Sequence, residues 1–180
     1  MGCASFGYQY GAGFTALAVG TAATTVIAEL TSPGTNEIRV QKVSISGLEA
    51  TANAANHVQL IKESTNSTGG TKTAATAVPF STFTNGIATP PATAVFNGYT
   101  VTPTAGTLVG VIACGVQEFG LAIPTLTVGI PLVWDFTSQV QVPTLNSVTE
   151  ALALTLNSAT PANAPALDIY VWWVEVPLFS

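Results

Sequence analysis

The sequence predicts an all-β, single-domain fold: an eight-stranded antiparallel β-sandwich of jelly-roll type, with a long irregular loop and an N-terminal arm. Three observations carry that expectation. The last strand, Ala166 to Val176, reads ALDIYVWWVEV. Leu167, Ile169, Val171 and Trp173 point one way from a pleated strand while Tyr170, Trp172, Val174 and Val176 point the other, so the strand needs cover on both faces. Short β-branched runs recur between Gly, Pro and Asn punctuation, which is the rhythm of strands and turns. These runs number eight, and two four-stranded sheets with Greek-key connections would place the eighth strand between the first and the third.

Residues 1–20 mix glycine and alanine with Phe6, Tyr8, Tyr10 and Phe14. Glycine of that density resists regular structure while isolated aromatics resist water, so this segment is expected to be an arm that docks on something. The sandwich domain then occupies residues 21–180. Thr21 to Leu30 is the first strand, closed by Pro33 and Gly34. In the second, Asn36 to Ser46, Ile38 and Val40 alternate in one phase and Val43 and Ile45 in the other. A β-bulge near Gln41 and Lys42 would return all four to one face. His57 to Lys62 is the third strand. From Glu63 to Pro91 the pattern breaks down, yet Phe80, Phe83 and Ile87 argue against a merely solvated tether, so this loop is expected to lie on a protein surface, its own or a neighbour's. Thr93 to Val101 and Thr107 to Val116 read as a hairpin about a PTAG turn. Ile130 to Phe136 follows after a second irregular piece. Ser147 and Glu150 have the spacing of a helix capping box, but Leu152, Leu154 and Leu156 repeat every second residue, so Ser147 to Asn157 reads as a strand.

At 180 residues the chain is long enough for one well-filled core without staples. Charged residues make up 7% of it, against about 25% in an ordinary soluble domain. A surface so poor in charge is expected to be covered in part by other subunits. Three Lys and one Arg against a net charge of −5 leave no basic patch for phosphates, so no nucleic-acid partner is expected. The uncharged run from Gly11 to Ala28 is too poor in Leu and Ile to insert into a membrane. Cys3 and Cys114 are too few for a disulfide scaffold. No basic residue precedes the apolar N-terminus, so synthesis in the cytoplasm is expected. Gly2 and Cys3 suggest acylation, but Phe6 stands where Ser or Thr is needed.

Nothing in the sequence assembles a reaction centre, and the chain is read as no enzyme. His57, the sole histidine, begins a strand with no nucleophile near it in sequence. Zinc and calcium spacings are missing, so neither metal nor cofactor is expected. Asp135, Glu150, Asp168 and Glu175 sit singly rather than as a carboxylate pair, with Arg39 or Lys42 as possible partners for the last two. GAG at Gly11 to Gly13 lacks the rest of a phosphate loop. Trp134, Tyr170, Trp172 and Trp173 fit core packing better than a sugar-stacking platform.

Four segments carry a likeness: NEIRVQKVSISGLEATANAANHVQLIKESTNSTGGT, PPATAVFNGYTVTPTAG, IPLVWDF and EALALTLNSATPANAPALDIYVWWVEV. With these the chain resembles the small jelly-roll head decoration (cement) and minor structural proteins of tailed bacteriophages. The resemblance implies a virion protein on the outer surface of the head, binding the major capsid protein and self-associating as a homotrimer that clamps capsomers. Phe6, Tyr8, Tyr10, Phe80 and Phe83, aromatic residues in irregular sequence, are the expected contacts. The alternative is a tail, fibre or lectin-like module that recognises host-surface carbohydrate.

Overall fold

A computed structural model describes residues 7–19, 25–49, 56–80, 83–84, 87–117, 120–121, 130–157 and 166–178. Among these there is no helix. Ten strands have four residues or more: β1 (Tyr8–Ala18), β2 (Thr25–Thr31), β3 (Asn36–Glu49), β4 (Asn56–Glu63), β5 (Thr71–Ala74), β9 (Val95–Val101), β10 (Leu108–Gln117), β12 (Leu132–Asp135), β14 (Ala151–Asn157) and β15 (Ala166–Pro177). Five are two-residue pairings: β6 (Val78–Pro79), β7 (Phe83–Thr84), β8 (Ile87–Ala88), β11 (Gly120–Leu121) and β13 (Thr144–Leu145).

Two sheets form a β-sandwich. One runs β11-β3-β15-β1-β6, with β12 and β13 also on β3; the other runs β10-β4-β14-β2-β9-β5. Long strands pair antiparallel, and among the described residues only β11 lies parallel to its neighbour. Their inner faces meet in one core, to which Tyr10, Ile38, Val43, Ile169 and Trp173 come from the first sheet and Ile27, Leu30, Leu60, Phe96 and Leu154 from the second. One cavity between the sheets, lined by Leu30, Val43, Leu60, Phe96, Leu154 and Ile169 among others, has a volume of about 10 Å³, no more than a single water would need.

The doubly apolar strand β15 is central, as its pattern demands, but it lies between β1 and β3 and not between the strands expected as first and third, Thr21 to Leu30 and His57 to Lys62, which as β2 and β4 flank β14 instead. Leu167, Ile169, Val171 and Trp173 are buried. The bulge is where the phase change in the sequence put it: Trp172 faces Lys42 and Trp173 faces Val40, leaving Gln41 as the extra residue. Ile38, Val40, Val43 and Ile45 are thereby all buried on one side. Leu152, Leu154 and Leu156 alternate into the core from β14, which starts at Ala151. Ser147 and Glu150 instead close a turn, in which Glu150 N–H donates to the Ser147 carbonyl and Glu150 accepts from Asn146 N–H.

Two further expectations are corrected. Residues 8–18 are no arm: β1 is hydrogen-bonded along β15 from Tyr8 to Ala18, and Tyr10 is buried and stacked on Trp173. Glycine did not prevent a strand here because its neighbours on β15 supply the missing side-chain volume. The PTAG segment makes no hairpin either. The edges of β9 are taken by β2 and β5 while β10 pairs with β4 at the far side of the sheet, so the connection crosses the sheet end, bonded at Thr104 to Thr68 and at Thr107 to Ser64. The 63–91 segment, expected on a protein surface, its own or a neighbour's, adds β5 to one sheet of its own domain and β6 to the other.

Candidate interaction surfaces

On the outer face of the first sheet the glycines of β1 face aromatic residues of β15. Gly11 stands opposite Trp172 and Gly13 opposite Tyr170. Without a side chain at these positions the rings lie down across β1: a Cβ on Gly13 would sit 2.2 Å from Tyr170 Cδ1, and one on Gly11 2.9 Å from Phe80 Cε1. Tyr170 and Trp172 stack at 6.3 Å with 28° between their planes, and Lys42 Nζ lies 5.4 Å from the Trp172 ring centre. Polar groups border this strip. Thr15 Oγ1 is 3.3 Å from the Tyr170 hydroxyl, Ala16 N–H donates to Asp168, and Gln9 donates to Gln41.

Of the five expected contact residues, Phe80 belongs to this strip and is 53% exposed. Tyr10 is 1% exposed, with its hydroxyl donating to the Pro90 carbonyl, so it is a core residue; burial pushes its phenol up to about 12. Tyr8 packs partly buried against the same core. The Phe83 backbone pairs with Ala88, its side chain lying outside the described residues, as does the whole of Phe6. Sequence reasoning missed Tyr170 and Trp172 as surface residues because two apolar faces on one strand read as two buried ones. Gly11 and Gly13 were the available signal.

A second surface is the edge strand β10. Leu108, Val109, Val111 and Val116 are each more than half exposed, and no residue of this ten-residue strand is charged. Sheet edges are ordinarily blunted by brevity, charge or proline. The other edges here follow that rule: β5 has four residues with Lys72, β6 has two with Pro79, and β12 ends at Asp135. On β10 the ladder shifts register twice before Ala113, then pairs without a break to Gln117. Gln117 donates to the carbonyl of Ile130, itself 83% exposed, which extends the apolar surface.

Between β10 and β12 opens a cleft of about 470 Å³ lined by Trp134, Asp135, Gln139 and Gln141 among others. Asp135 is the only carboxylate among its described lining residues, and hydrogen bonds from the Thr137 hydroxyl and N–H hold its carboxyl below the usual range. The other acids are occupied locally. Glu150 pairs with Lys62 at 3.0 Å, Asp168 takes Ala16 N–H, and Arg39 pairs with Glu37 rather than with either acid of β15. Among the described residues Glu175 accepts from uncharged donors: Asn36, Thr93, Ala94 and Trp173. His57 is exposed at the start of β4, opposite Val116 and Asn157.

No family model matches the chain, and neither curated proteins nor solved structures provide a match.

Proposed function

We propose that this chain is a structural virion protein, a jelly-roll decoration or cement protein that binds the outer surface of a phage head and stabilises contacts between capsomers. The jelly-roll reading is supported by strand order: β1, β15, β3 and β12 adjoin in one sheet and β2, β14, β4 and β10 in the other, with β5 and β9 added beside β2. The observation that carries the functional reading is β10, a long uncharged edge whose apolar side chains face solvent in the isolated chain. Covering such an edge with another polypeptide gains apolar burial and ladder hydrogen bonds together. The partners are the major capsid protein and further copies of the chain, as a homotrimer. The test is co-sedimentation with heads assembled without this protein. Binding by the unaltered chain, lost in Val111→Lys/Val116→Glu with an unchanged melting temperature, supports the proposal; equal binding by both removes β10 from it.

A second reading, a lectin-like module for host-surface carbohydrate, is favoured by the glycine-backed Tyr170 and Trp172 strip, whose stacked rings are bordered by hydroxyl and amide groups. A glycan array separates the two: specific retention that vanishes in Trp172→Ala supports this reading, and an empty array removes it.

A further inference from the structure

The outer face of the second sheet brings two buried acids together across a strand of small residues. Strands β2 and β4 flank β14. Glu29 lies opposite Ala153, and Glu63 lies opposite Ala151 on one side and Leu108 on the other. Both glutamates are 0% exposed. Ser67 bonds to the two of them at once, its N–H donating to Glu29 Oε1 at 2.8 Å and its hydroxyl to Glu63 Oε2 at 3.3 Å. Like charges in one buried site strongly disfavour each other, so one of the two acids must hold a proton.

The hydrogen bonds decide which. Both Glu29 oxygens accept short bonds, the second from the Tyr99 hydroxyl at 2.7 Å. Glu63 has the long bond from Ser67 and the N–H of Gly106, and among the described residues its Oε1 is buried with no partner. An oxygen that no donor meets carries charge least well and a proton best. No cation offsets the pair. Lys62 is turned to Glu150 and the Thr144 carbonyl, Lys72 stands exposed on β5 opposite Tyr99, and Arg39 and Lys42 belong to β3 in the other sheet. Residues 64–67 and 102–107 contain only Ser, Thr, Asn, Pro, Ala and Gly, so nothing titratable faces the pair from them. Burial and then the charge of Glu29 push the Glu63 carboxyl up from its ordinary value, and burial pushes the Tyr99 phenol up as well, keeping it a donor.

Main chain covers the pair. A Cβ on Gly106 would run into the Thr65 carbonyl and Glu63 Oε2. Thr68 and Thr104 exchange backbone bonds, and Ser64 N–H donates to the Thr107 carbonyl, so 64–68 and 104–107 form one lid that leads directly into β10 at Leu108.

We propose that Glu63 is a pH-sensitive latch: protonated at neutral pH beside an ionised Glu29, it lets this lid close, and ionised at higher pH it drives the lid open. In that step the carboxyl O–H of Glu63 breaks and its proton passes to water. Two buried negative charges remain, and water entering between 64–68 and 104–107 is what can solvate them. The latch does not depend on what β10 pairs with.

An acid whose folded-state pKa is raised has no effect on stability while folded and unfolded chains both hold the proton. It then destabilises the fold progressively as pH rises from the unfolded value of about 4.3 toward the folded one. The experiment is urea unfolding of the full chain and of Glu63→Gln between roughly pH 5 and 8. Glutamine keeps a donor where the acid carries its proton, and it cannot ionise. The folding constant of the unaltered chain should fall relative to that of the variant by up to about tenfold per pH unit, leaving the variant the more stable at the alkaline end. The same pH slope in both proteins, whatever the offset between them, overturns the latch. Amide exchange, corrected for intrinsic rates, should rise with pH in 64–68 and 104–107 of the unaltered chain and stay level in the variant; equal exchange in the two also overturns it. Should Glu63→Gln fail to fold, infrared spectroscopy of the unaltered chain decides. The C=O stretch of a protonated carboxyl, shifted in heavy water, should persist at neutral pH and vanish as pH rises further; its absence at neutral pH is equally fatal.

Discussion

Trp173 donates its indole N–H to Glu175 Oε1 at 3.0 Å, two residues along the same face of β15. The same carboxylate takes the backbone N–H groups of Thr93 and Ala94, the Thr93 hydroxyl and the Asn36 amide. One buried acid thus fastens the segment leading into β9 to the central strand. Burial pushes this carboxyl up, but the bonds from Thr93, Trp173 and Ala94 outweigh it and hold it below the ordinary value. A depressed folded-state pKa contributes stability above the unfolded value of about 4.3 and loses it as pH falls through the folded one. Glu175→Gln should therefore cost about 2–3 kcal/mol at neutral pH and flatten the acid limb of the stability profile below roughly pH 4. An unchanged acid limb in urea titrations across pH would show that Glu175 is not the group responsible.

Tyr10 separates a strand from an arm. As a buried ring stacked on Trp173 at 5.9 Å, its replacement by alanine should cost roughly 3–5 kcal/mol, visible as a lower denaturation midpoint. A loosely docked arm would tolerate the same change with little loss of stability.

Gln41 is the residue that keeps two halves of β3 in phase. Its deletion would turn Ile38 and Val40 outward or force Val43 and Ile45 to do so. Burial of each side chain is worth roughly 1.5–3 kcal/mol, so the deletion should cost about 3–6 kcal/mol, whereas Gln41→Ala should be nearly neutral. Circular dichroism melts of the two variants give the comparison.

Gly13→Val places a branched side chain where the Tyr170 ring now lies. The expected cost is about 1–3 kcal/mol, with the ring lifted off β1 and its fluorescence more open to quenching. Gly69→Ala, by contrast, meets no atoms but must hold a φ of 71°, so its cost of about 1 kcal/mol comes from the backbone alone.

What the sequence made legible was decided within single strands. Alternation identified β14 and β15, and a phase reversal between Val40 and Val43 located the bulge. What it concealed depended on neighbours. Tyr8–Ala18 became a strand only because Trp172 and Tyr170 fill the space above its glycines, which no pattern inside residues 1–20 records. The PTAG link was short enough for a hairpin, but the pairing was decided by β2 and β5, which already occupy β9. Glu29 and Glu63 lie 34 positions apart in the sequence, and their meeting required two alanines on the strand between them. A charge inside the apolar run VIAEL was the one local sign that Glu29 had unusual company.

The central claim is that this chain works by attachment, with its uncharged edge finished by a neighbour. Electron cryomicroscopy of the native particle that contains it tests this most directly. The account predicts sandwich-shaped density on the outside of the head, with β10 lying against another polypeptide. Density elsewhere in the particle, or a head-bound copy whose β10 edge faces open solvent, would contradict it.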